Sequence, residues 1–141
     1  MPPRDLENIY QMLVDSQKGY AEAAEIADAP NITEFFANRA RERASLVEEF
    51  AAVLPMAADP ANAGTAAGTA HRLFINLRRM VQDDTKVALA EVERGESLFL
   101  EAIKSALDDT GLDGDERRMI ADLNDEVRAD QAVFAEMRAS F

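Results

Sequence analysis

Two carboxylates three residues apart flank a glycine in Glu93-Arg94-Gly95-Glu96, in the middle of the run from Val87 to Leu107. Side chains at i and i+3 leave a helix on one side. Di-iron and di-manganese bundles use that geometry, taking one carboxylate from each of two helices and Glu-x-x-His from each of the other two. The same stretch could instead mark a close crossing of two helices, because glycine lets backbones approach. The chain has one histidine, His71, and no cysteine. Thiolate chemistry, disulfides and any site needing two histidines from one chain are therefore excluded. No Glu-x-x-His occurs, and Glu49 has Ala52 where the histidine would stand. A metal site would have to rest on carboxylates, with Glu49, Glu96 and Asp130 as the candidates and iron or manganese as the metal. A Ser-His-Asp arrangement is not credible, since His71 has no motif beside it that positions a nucleophile. Gly64 and Gly68 form a small-xxx-small packing face, and no Gly-Lys-Ser/Thr follows to make a phosphate loop.

Five helices are predicted to position these groups. Helix A spans Asp5 to Ala27, with Asp5 as its cap and Pro30 closing the connection; Leu6, Ile9, Leu13, Tyr20, Ala24 and Ala27 recur at helical spacing. Helix B starts at Asn31, where Asn31-Ile32-Thr33-Glu34 resembles a capping box, and ends near Leu54, before Pro55. Helix C spans Gly64 to Gln82, and its first half is built of alanine and glycine. Helix D follows the cap Asp83-Asp84-Thr85 and ends near Asp109. Helix E begins at Asp113 to Asp115 and runs towards the C-terminus.

Placing residues about 100° apart around each axis puts Gln17, Arg39, Arg43, Glu96, Asp130 and Gln131 on or beside the apolar stripes. Glu93 projects away. Each of the six stands near the middle of its helix, so in a bundle they fall at about one level. A guanidinium on a core line needs carboxylate partners, because unpaired burial is costly. Arg43 paired with Glu96 and Asp130 would form a buried polar layer that sets helix register.

The 141 residues suit a single domain, 1–141. A net charge of -12 excludes sequence-independent nucleic-acid binding and attraction to anionic membranes. There is no apolar run of spanning length and no secretory h-region, so a soluble cytoplasmic protein is expected. Short turns make A antiparallel to B and D antiparallel to E; a helix C that returns along the bundle makes D parallel to B, a one-crossover topology.

Lys18-Gly19-Tyr20, Glu22-Ala23-Ala24-Glu25, His71-Arg72, Asn76-Leu77 and Glu93-Arg94-Gly95-Glu96, in that order, resemble an uncharacterised bacterial family of the ferritin-like superfamily, domain-of-unknown-function family 2383. The resemblance covers nearly the whole chain. It implies an all-α, ferritin-like four-helix bundle of helices A, B, D and E, with short helix C in the crossover. It also implies a stress context without an established activity, and pairing along a helix face as a homodimer. The family pattern places a histidine near Gln131 that this chain lacks. Two readings follow: a non-catalytic bundle without cofactor that acts through assembly or an unidentified protein partner, and a carboxylate-bound iron or manganese protein with oxidase or storage activity. A small-ligand pocket beneath the alanine-glycine half of helix C is a third.

Overall fold

A computed structural model describes residues 4–53, 85–108 and 111–139. They form four helices, α1 (Arg4–Ile26), α2 (Pro30–Val53), α3 (Thr85–Leu107) and α4 (Gly114–Ala139). These are the sequence's helices A, B, D and E. Helix C, with His71, Gly64 and Gly68, falls outside the described residues. At 23 to 26 residues, each helix is roughly 35–39 Å long.

The helix ends follow local chemistry. Pro30, expected to stand outside α2, is its first residue, where proline's fixed φ suits a helix and its missing N–H costs nothing. Asn31 therefore lies inside the first turn, and the residue that ties the corner is Thr33, whose hydroxyl donates to the Ala27 carbonyl at 2.9 Å. Asp5 likewise lies within α1, which begins at Arg4. At α4 a reciprocal capping box forms: the Glu116 N–H donates to Asp113 Oδ1 at 2.8 Å, and the Asp113 N–H donates to Glu116 Oε1 at 2.9 Å. Arg117 donates to the carbonyl of Leu107, satisfying the last turn of α3. Loss of the box in Asp113→Ala is expected to cost about 1 kcal/mol in thermal or urea unfolding.

Contacts between helices set their directions. The Asp28 N–H donates to the Thr85 hydroxyl at 3.0 Å, so α3 starts where α1 ends and runs antiparallel to it. Arg138 lies 3.1 Å from Glu93, which makes α4 antiparallel to α3. Thus α2 and α3 are parallel, and the chain leaves α2 at one end of the bundle and enters α3 at the other. This is the direction pattern of a four-helix bundle with one long connection.

The seams between helices differ in width. α1 packs directly on α2 and on α3, and α3 on α4, whereas the backbones of α2 and α4 stand further apart. Buried Gly19 and Ala23 of α1 and buried Ala88 and Gly95 of α3 are small enough for close approach. With Asp28 beside Thr85, the antiparallel register brings Gly19 and Gly95 to nearly the same level. Large side chains fill the α2–α4 side instead. Phe134 stacks on Tyr20 at a centroid distance of 6.1 Å, meets Phe36 at 6.2 Å and meets Phe35 edge-on at 5.3 Å. Leu6, Ile9, Leu13, Val92, Phe99, Ile103, Ile120 and Val127 complete the core.

Candidate functional site

The wide α2–α4 side leaves room at mid-bundle for a guanidinium. Arg43 of α2 is 1% exposed and ranks among the largest fully buried side chains. Its Nη2 lies across the Glu96 carboxylate of α3, 2.9 Å from Oε1 and 3.0 Å from Oε2, and donates a hydrogen bond to Oε2. The same nitrogen donates to Asp130 Oδ2 of α4 at 3.1 Å. Arg39, one helical turn before Arg43, donates from Nη1 to the other Asp130 oxygen, Oδ1, at 2.8 Å and to Glu42 Oε2 at 2.8 Å. Glu126 of α4 lies near enough to Glu42 to feel its charge. The result is a chain of alternating charge, Glu96–Arg43–Asp130–Arg39–Glu42, running from the bundle axis to the surface and ending in the carboxyl pair Glu42–Glu126.

Aromatic faces share in compensating the buried cation. The guanidinium carbon of Arg43 lies 5.1 Å from the centre of the Tyr20 ring and 5.7 Å from that of Phe99, and Arg39 stands 5.1 Å over Phe35. Burial alone would weaken the charge on Arg43. The neighbouring Glu96 carboxylate outweighs that penalty, and Arg43 holds its proton more tightly than an ordinary arginine. Tyr20 is pushed above the usual phenol value, first by burial and then by the charge of Glu96, so its hydroxyl stays neutral. Neither group is poised to exchange a proton at neutral pH.

Of the six residues expected in a mid-bundle layer, the structure brings Arg39, Arg43, Glu96 and Asp130 together. Gln17 is half-buried and is not among their partners. Gln131 points to the α3–α4 flank, where its Nε2 donates to the Ser97 hydroxyl at 2.8 Å. One residue on from Asp130, about 100° around the axis, the α4 surface has already turned from α2 to α3. Glu49 is exposed, and it stands six residues beyond Arg43, about 9 Å along the axis; it does not join Glu96 and Asp130. Among the described residues, no three histidine, aspartate or glutamate side chains gather as a ligand set. Glu93 is half-buried and ion-paired with Arg138 rather than simply solvated. Sequence reasoning missed Glu91, which is 6% exposed and held by Arg94 through two bonds of 2.9 and 2.7 Å. The i,i+3 spacing of opposite charges was the available signal. It also missed Glu42 and Glu126, which meet only through the register of α2 against α4.

Burial, followed by the charge of Glu42, raises Glu126 above the usual glutamate value. A raised carboxyl binds its proton more tightly in the folded state. Its contribution is therefore fully present below the unfolded glutamate value and is lost as pH rises through the folded one. Glu126→Gln removes this loss. Urea titrations across pH 4 to 8 are expected to show the variant gaining on the parent chain as pH rises.

The described fold and site are those of an all-α four-helix domain with a charged group in its interior, and no described helix is long and apolar enough to cross a membrane. The chain belongs to the domain-of-unknown-function family DUF2383, whose model matches residues 3–109. The match takes in α1, α2 and α3; Asp130 and Phe134 of α4 lie beyond it. No curated protein and no solved structure matches the chain.

Proposed function

We propose that this chain is a ferritin-like bundle in which an ion-pair layer replaces metal chemistry, and that it acts by binding a partner rather than by catalysis. The observation that carries this reading is Arg43, whose guanidinium lies between Glu96 and Asp130 in the bundle core, the region in which carboxylate-bridged bundles build their metal sites. The donor set does not suit such a pair. Both inward carboxylates are already engaged by a fixed positive charge, and a second cation within the same few ångströms would meet strong repulsion in a low dielectric. The layer has the properties of a register lock: α2 contributes Arg39 and Arg43, α3 contributes Glu96 and α4 contributes Asp130, and sliding any of the three helices by a turn unpairs a buried charge.

Elemental analysis of protein purified without chelator, and again after anaerobic loading with ferrous iron, tests the reading. Less than stoichiometric iron and manganese in both samples is expected. Stoichiometric metal in either would overturn it in favour of a carboxylate-bound oxidase or storage protein.

A further inference from the structure

We draw no further inference here: the strongest candidate, the buried Tyr20 ring packed against Arg43 beside Glu96 in the bundle core, belongs to the ion-pair site already described.

Discussion

Arg43→Ala is expected to lower the unfolding free energy by about 3–5 kcal/mol, read as a lower urea midpoint at unchanged m-value. Truncation removes the cation between Glu96, which is fully buried, and Asp130, which is 3% exposed. Both carboxylates then stay in the core without that cation, Asp130 keeping its ion pair with Arg39. The loss has two sources. One is the uncompensated negative charge, and the other is the cavity where the guanidinium and its stem packed on Tyr20 and Phe99. The two are separable. Arg43→Met keeps most of the volume and removes the charge, so it should recover only the packing part. Combining Arg43→Met with Glu96→Leu and Asp130→Leu removes the charges as a set, and a triad replaced by apolar groups of similar volume is neutral or stabilised by about 1–4 kcal/mol. If the triple variant is stable while its helices lose a single register, seen as broadened amide spectra, the layer acts through specificity. An Arg43→Ala chain as stable as the parent would remove the basis for a register lock.

This distinction bears on what sequence can reveal. The apolar stripes and the long helices were legible because a period of 3.6 residues persists over six turns in each. The inward positions of Arg43, Glu96 and Asp130 were legible for the same reason: all three lie within one turn of a strong apolar neighbour, so error in the projected angle stays small. Gln131 shows the limit. It follows Asp130 by about 100°, which carries it from the α2 side of α4 to the α3 side and onto Ser97. A projection supplies an angle for each residue but neither the spacing of the helices nor their relative heights. Those come from tertiary features: buried small residues such as Gly19 and Gly95 permit close packing of α1 on α3, Phe35 and Arg39 reach across from α2 to Phe134 and Asp130 of α4, and Asp28 at Thr85 sets the height of α3. Glu42 and Glu126 are ordinary solvated glutamates until that height is known. Glu91 was lost for a related reason, since its angle falls on the flank of the apolar stripe, where a projection does not separate a buried position from an exposed one.

The family model ends before α4, yet packing makes α4 indispensable to the site, and Phe134 is where this can be measured. Phe134→Ala is expected to destabilise by about 3–5 kcal/mol. The ring is fully buried and touches Tyr20 of α1 and both Phe35 and Phe36 of α2. It is the aromatic wedge on the wide side of the bundle, so no neighbouring backbone stands close enough to fill the space by a small shift, and collapse would require α2 and α4 to approach by more than their charged side chains permit. One helical turn separates Phe134 from Asp130. The wedge and the ion pairs therefore hold the same seam at adjacent levels, and they should not act independently. A double-mutant cycle between Phe134→Ala and Arg39→Ala is expected to show a coupling of about 0.5–3 kcal/mol, because loosening the wedge lets Asp130 drift from Arg39. Phe134→Leu, which keeps much of the volume, should cost far less and leave the coupling small. Additive losses in the cycle would mean that the aromatic cluster and the charge chain are separate features that merely share a helix, and the α2–α4 side would then lose its standing as one cooperative seam.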